Sequence, residues 1–178
     1  AAKVAVQMLE AGGNAVDAAI AGAVLLGICE PQMTGIGGDC FVLMTAPGED
    51  RIIALNGSGR APAAYSAADL RAKGHRVVPV SDPAAVTVPG AVDAFCKLSA
   101  DWGKLGLKAI LAPAIHYAEA GVPVSPRVAF DWAMDEKVLQ GVARDRYMLN
   151  GKVPTPGQMF RAPEQAEVLR HIATDGRA

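Results

Sequence analysis

The stretch Glu30-Pro31-Gln32-Met33-Thr34-Gly35-Ile36-Gly37-Gly38-Asp39-Cys40-Phe41-Val42-Leu43-Met44 decides the fold. A run of small and apolar residues leads into it, and an apolar run leaves it. Pro31 cannot continue a helix and pushes Glu30 out of the α region. Gly35, Gly37 and Gly38 permit positive φ and the close approach of another backbone or a ligand. Phe41 to Met44 is continuously apolar, which predicts a strand covered on both faces. The order is therefore helix, tight turn, strand. A phosphate cradle runs strand, Gly loop, helix, and no Lys follows these glycines, so that reading fits poorly beside a plain structural corner.

Upstream, Val4, Met8 and Ala11 share one helical face, and Gly12-Gly13 closes that helix. Asn14 is a good N-cap for a second helix running to about Ile28. Ala18, Ala19, Gly22 and Ala23 are small while Leu25, Leu26 and Ile28 are large, as in a helix buried nearly all round. The apolar run Ala15 to Cys29 is interrupted by Asp17 and falls short of the roughly 18 residues a membrane span needs.

Downstream, the strand from Cys40 to Thr45 and a second over Arg51–Leu55 predict an antiparallel hairpin with a five-residue loop, Ala46 to Asp50. The second strand leaves through Asn56-Gly57-Ser58-Gly59-Arg60. An amide, a hydroxyl, a guanidinium and two glycines exit a rigid hairpin together, which is where function is often carried. An ordinary Asn-Gly turn with a solvated Arg60 is the alternative. Ser66 with Asp69 resembles a capping box closed by Gly74. Residues 75–89 read as extended. Two helices follow over 90–120, split at Trp102-Gly103, with Phe95, Leu98 and Trp102 on one face and Leu107, Leu111 and Ile115 on another. Pro113 is expected to kink the second of them. Ser125-Pro126 starts a helix to about Gln140, residues 141–160 read as loop, and Pro163 starts a last helix to about Thr174.

Composition narrows the function. The 178 residues carry 17 basic and 18 acidic side chains, a net charge of -1 and only 5% aromatics. No basic face or stacking platform favours nucleic acid. Three cysteines without a CxxC argue against a disulfide framework and a zinc site. His75, His116 and His171 lack i, i+4 partners and read as structural or exposed. Glu30 and Asp39 bracket the Gly loop, either as a carboxylate pair for acid/base work or as turn residues. Thr34 and Ser58 have no visible partner base, and no G-x-S-x-G elbow exists. Ala1 is not an initiator Met and the helical pattern is already under way there. The chain is expected to be one partial domain over 1–178, incomplete at both ends, with the compartment open between bacterial cytoplasm and periplasm.

Four stretches then point to a family: Ala11-Gly12-Gly13-Asn14-Ala15-Val16-Asp17-Ala18-Ala19, Glu30 to Gly38, Arg60-Ala61-Pro62-Ala63, and Val88-Pro89-Gly90-Ala91-Val92. In order and spacing they resemble the γ-glutamyltransferase family, as does the later Ala118-Glu119-Ala120-Gly121. The resemblance implies an α+β chain belonging to a four-layer αββα N-terminal nucleophile hydrolase fold. It implies a proenzyme that cleaves itself, and a small subunit whose new N-terminal Thr is the nucleophile, with its own amine as base. The substrate implied is a small amide or peptide such as glutathione, with no metal and no cofactor. Residues 1–178 then match the first part of the large subunit and contain no catalytic residue. The resemblance implies an Arg, then two residues, then an Ala-Pro pair, with the Arg holding the substrate carboxylate. Here Ser58 occupies that place and Arg60 lies two residues later. Asn56, Ser58 and Arg60 are the expected substrate-binding residues. The departure leaves open a γ-glutamyl enzyme, a cephalosporin- or glutaryl-acylase-like member, and a non-catalytic scaffold.

Overall fold

The computed structural model describes residues 1–80 and 82–177. The extended reading at Ser81, and the reading of the chain end at Ala178, lie outside the described residues. The chain is α+β and divides into two compact units, Ala1–Gly35 with Cys96–Ala178, and Ile36–Phe95.

In the first unit, helix α1 (Ala2–Glu10) buries Val4 and Met8, while Ala11, expected on the same face, is exposed. Gly12 takes φ +90° and ends the helix. Helix α2 (Ala15–Cys29) follows, with Ile20, Val24, Leu25 and Ile28 fully withdrawn from solvent. Ala15, Ala19 and Ala23 form its one exposed stripe. Glu30 leaves the helix at φ -136°, as Pro31 requires.

Asn14 and Asp17 form a full capping box at the start of α2. The Asp17 carboxylate is completely buried. It accepts the Asn14 N–H at 2.8 Å, the Lys104 N–H at 3.1 Å and the Leu105 N–H at 3.3 Å. Asn14 Nδ2 donates to the Trp102 carbonyl at 2.6 Å. Two side chains thereby fasten the Trp102–Leu105 turn to the helix start and satisfy backbone donors that burial would otherwise leave orphaned.

Helix α4 (Ala91–Trp102) and helix α5 (Leu107–Ala120) fall where the sequence places them, on either side of Gly103. The face that α5 buries is Ile110, Leu111, Ala114 and Ala118; Leu107 and Ile115 are only half-buried. Helix α5 runs unbroken through Pro113 and packs against α2 and against α8 (Pro163–Asp175). Helix α6 (Pro126–Met134), capped by Ser125, stops six residues before the expected end at Gln140. The stretch read as loop contains helix α7 (Gly141–Tyr147) and strand β4 (Met159–Phe160), which pairs antiparallel with β3 (Val122–Pro123). Long-range packing holds them: Phe160 lies edge-on to Trp132 at 5.0 Å and stacks on Tyr147 at 6.0 Å between ring centroids.

The second unit is built on the hairpin of β1 (Cys40–Thr45) and β2 (Ile52–Gly57), with Cys40 opposite Gly57 and Thr45 opposite Ile52. Arg51, expected in the second strand, stays in the turn and pairs with Glu49. Burial alternates along both strands. The expectation of cover on both faces therefore fails among the described residues, where Phe41, Leu43 and Ile52 are each about 70% exposed or more. A two-stranded hairpin has two faces, and an apolar run on both does not say what covers the second. Helix α3 (Ala67–Ala72) is capped by Ser66, whose hydroxyl also meets the Asp69 carboxylate, and Gly74 takes φ +84° after it. Pro83–Ala85 forms a single 3-10 turn inside the stretch read as extended.

Candidate substrate-binding loop

The loop begins where β2 ends. Asn56 lies opposite Phe41 in the ladder, and its Oδ1 accepts the Ser58 N–H at 3.0 Å, a turn closed by a side chain. The Gly59 N–H donates to Asp39 Oδ1 at 2.9 Å. One residue later the Arg60 carbonyl accepts the Val88 N–H at 2.9 Å. Asp39, expected as either acid/base group or turn residue, is thus a hydrogen-bond acceptor for the loop.

Glycine is required at three positions of this corner. A Cβ on Gly59 would lie 1.6 Å from the Val88 carbonyl oxygen. On Gly90 it would lie 2.2 Å from the Gly57 carbonyl oxygen, and on Gly57 2.6 Å from the Ala94 Cβ. The Gly38 carbonyl accepts the N–H groups of Gly90 and Ala91 at 3.1 and 2.9 Å, which satisfies donors at the start of α4. The Val88-Pro89-Gly90-Ala91 stretch is thereby explained as the strap that the loop lies against.

The Gly-rich stretch differs from expectation. Gly35, Gly37 and Gly38 do not take positive φ, and a Cβ on any of them meets nothing within 4 Å. Close approach does occur at Gly27, where a Cβ would lie 3.3 Å from the Gly35 Cα. Nothing among the described residues explains why positions 37 and 38 are glycine. The Gln32 side-chain amide is buried with neither its oxygen nor its nitrogen hydrogen-bonded among the described residues.

Asn56, Ser58 and Arg60 are all exposed and lie together on this one loop. Among the described residues the Arg60 guanidinium has no hydrogen bond or ion pair. The loop thus offers a cation, a hydroxyl and an amide on a backbone tied at Asp39 and Val88. Burial pushes the thiol pKa of Cys29 up, and burial does the same to Cys40. That is the reverse of an activated thiolate. Among the described residues no group of His, Cys, Asp and Glu could hold a metal, and no helix is long and apolar enough to cross a membrane. His171 sits beside Glu167 and Asp175 on the exposed face of α8, and His116 lies against Tyr117.

Asp39 was read as an acid/base or turn carboxylate and Gly59 as a glycine of the loop, but the Asp39–Gly59 bond and the packing of Gly59 and Gly90 were not legible. The Gly59–Val88 contact joins positions far apart in sequence, and no local pattern announces it. Asn14 was legible as an N-cap, whereas Asp17 was read only as a break in an apolar run and not as its capping-box partner.

The gamma-glutamyltranspeptidase family model matches residues 1–178. The glutathione hydrolase-like YwrD proenzyme of Bacillus subtilis is 36% identical over 97% of this chain and 33% of its own length. The oxamate amidohydrolase proenzyme of Klebsiella pneumoniae is 38% identical over 99% of this chain and 34% of its own length. Among solved structures, a cephalosporin acylase from Bacillus halodurans superposes with a TM-score of 0.92 at 38% identity, over 97% of this chain and 34% of that one. The chain spans about a third of the length of the curated relatives it matches. It belongs to the gamma-glutamyltranspeptidase family, and its fold is part of the N-terminal nucleophile hydrolase fold.

Proposed function

We propose that this member of the gamma-glutamyltranspeptidase family forms part of the large subunit of an autocleaved amidohydrolase or acyltransferase. The protein hydrolyses or transfers a γ-glutamyl or related carboxylated acyl group from small amides such as glutathione. The nucleophile and oxyanion donors belong to the small subunit of the same precursor. Residues 1–178 supply the acyl pocket wall, with Arg60 as the partner of the donor carboxylate and with Asn56 and Ser58 beside it.

One observation carries this reading: Arg60 is an unpaired, exposed guanidinium on a loop whose backbone is tied on both sides of it. An arginine fork matches a carboxylate bidentately, whereas the Ser58 hydroxyl cannot carry the charge. A pre-tied loop also reduces the ordering cost of binding. The relatives support an amide-cleaving chemistry, and the name of one of them, oxamate amidohydrolase, indicates an amide that itself bears a carboxylate.

A second reading is an acylase that takes a neutral acyl group. Ser58 at the family's usual Arg place, where a neutral hydroxyl stands, favours it. The full-length matured enzyme separates the two. Arg60→Ala and Ser58→Arg are assayed with γ-glutamyl-p-nitroanilide and with a neutral acyl anilide of similar length. Anchoring predicts a loss of about 2–5 kcal/mol on the carboxylated donor alone for Arg60→Ala. It also predicts a selective gain of γ-glutamyl turnover for Ser58→Arg. Equal losses on both donors, or a change under about 0.5 kcal/mol as for an ordinary surface residue, sink the anchoring role.

A further inference from the structure

The Gly-rich turn and the substrate-binding loop meet at one carboxylate. We infer that Asp39 is a positioning residue for the donor: by accepting the Gly59 N–H it holds the turn that carries Arg60, and so sets the preference for donors bearing a carboxylate. The inference rests on the reading of Arg60 as the carboxylate partner.

Three features of the second unit carry it. Asp39 immediately precedes Cys40, which pairs with Gly57, so the hairpin ladder sets the backbone from which its carboxylate extends. Its Oδ1 takes the Gly59 N–H at 2.9 Å, and a hydrogen bond to a charged acceptor is among the stronger kinds. On the other side of Arg60, the Val88 N–H binds the Arg60 carbonyl at 2.9 Å. The backbone at Arg60 is therefore bracketed, and Asp39 supplies one of the two brackets.

The geometry also explains why Arg60 keeps its charge available. Asp39 bonds a backbone N–H, and no carboxylate among the described residues forms an ion pair with Arg60. An Asp one residue from the hairpin, aimed at the guanidinium instead, would neutralise it before any substrate arrived. The Gly59 backbone can approach Val88 only because it has no Cβ, so the loop has little room to settle elsewhere while the bracket holds. Without it, the turn is free to re-aim, and a displacement of about 1 Å in a positioning group is worth up to about 100-fold.

The test uses the full-length matured enzyme, with Asp39→Ala, Asp39→Asn, Arg60→Ala and the Asp39→Ala/Arg60→Ala double variant. KM and kcat are measured on γ-glutamyl-p-nitroanilide and on the neutral acyl anilide. Expected for Asp39→Ala is a KM increase of about tenfold or more on the carboxylated donor, equivalent to about 1.4 kcal/mol. The neutral donor and kcat stay near wild type. Asp39→Asn keeps an oxygen acceptor and restores most of the loss, and Arg60→Ala adds little to Asp39→Ala because both remove the same interaction. Equal KM increases on both donors, no increase on either, or full additivity with Arg60→Ala overturns the inference while leaving Arg60's role standing. An Arg60→Ala enzyme without donor selectivity overturns both. Should the Asp39→Ala proenzyme fail to mature, Asp39→Ser, too short to reach the Gly59 amide, takes its place with the same expected split. Hydrogen exchange at the Gly59 amide reads the bond directly: faster in Asp39→Ala or Asp39→Ser than in wild type, and an unchanged rate overturns the inference.

Discussion

Arg60 and Gly59 show two ways in which a residue in a loop matters. In the proposed reading Arg60 contributes a charge, and the expectation rests on a local pattern, a guanidinium leaving a rigid hairpin between glycines and an Ala-Pro pair. Gly59 contributes the absence of a side chain. The local pattern shows a flexible turn there, whereas the structure shows a glycine demanded by the Val88 carbonyl, at a sequence separation no window spans. Gly38 is the converse, since its glycine character was expected to matter and its Cβ direction is open at an ordinary φ. The two positions make a paired prediction for the full-length protein. Gly59→Ala forces the loop away from Val88 and lowers stability by about 1–3 kcal/mol, the range for overpacking. Gly38→Ala stays within about 0.5 kcal/mol. Denaturant unfolding of both variants checks this, and a Gly38→Ala loss as large as that of Gly59→Ala contradicts it.

Among the elements, α1, α4 and α5 were legible from their periodic apolar faces, α2 from its run of small and apolar residues ended by Pro31, and α8 from Pro163 at its start. What sequence periodicity could not supply was the pairing of short pieces. Strands β3 and β4 are two residues each, and α7 has no buried residue, so their existence depends on the aromatic packing of Trp132, Tyr147 and Phe160. The turn between α4 and α5 was placed correctly, but the clamp holding it was only half seen: Asn14 was read as a cap, while its bond to the Trp102 carbonyl is non-local. This gives a prediction that separates cap from clamp. Asn14→Asp keeps the acceptor for the Val16 and Asp17 N–H groups but removes the Nδ2 donor and sets a second carboxylate beside buried Asp17. As a plain N-cap, Asp is as good as Asn. As part of the clamp, Asn14→Asp loses at least about 1 kcal/mol, and Asn14→Ala about as much or more. Thermal unfolding of the full-length variants decides it, and an Asn14→Asp protein as stable as wild type contradicts the clamp.

On the scale of the whole molecule, the family was legible from four short stretches, and three of them have a physical use in the fold or the proposed site. Ala11 to Ala19 builds the helix stop and the Asn14–Asp17 clamp. Val88 to Val92 is the strap against which the loop rests and the start of α4. Arg60-Ala61-Pro62-Ala63 carries the proposed anchor. The stretch Glu30 to Gly38 forms the corner, yet nothing among the described residues explains why positions 37 and 38 are glycine. The expected four layers are represented here by helices and two small sheets, because the chain spans about a third of its relatives' length. A crystal structure of the full-length, matured protein with glutamate bound as product tests Arg60 as the carboxylate anchor. An Arg60 guanidinium nitrogen is expected within about 3 Å of the glutamate α-carboxylate, with the Gly59 N–H still on Asp39. A glutamate whose carboxylate is held by other residues, with Arg60 facing solvent, would contradict it.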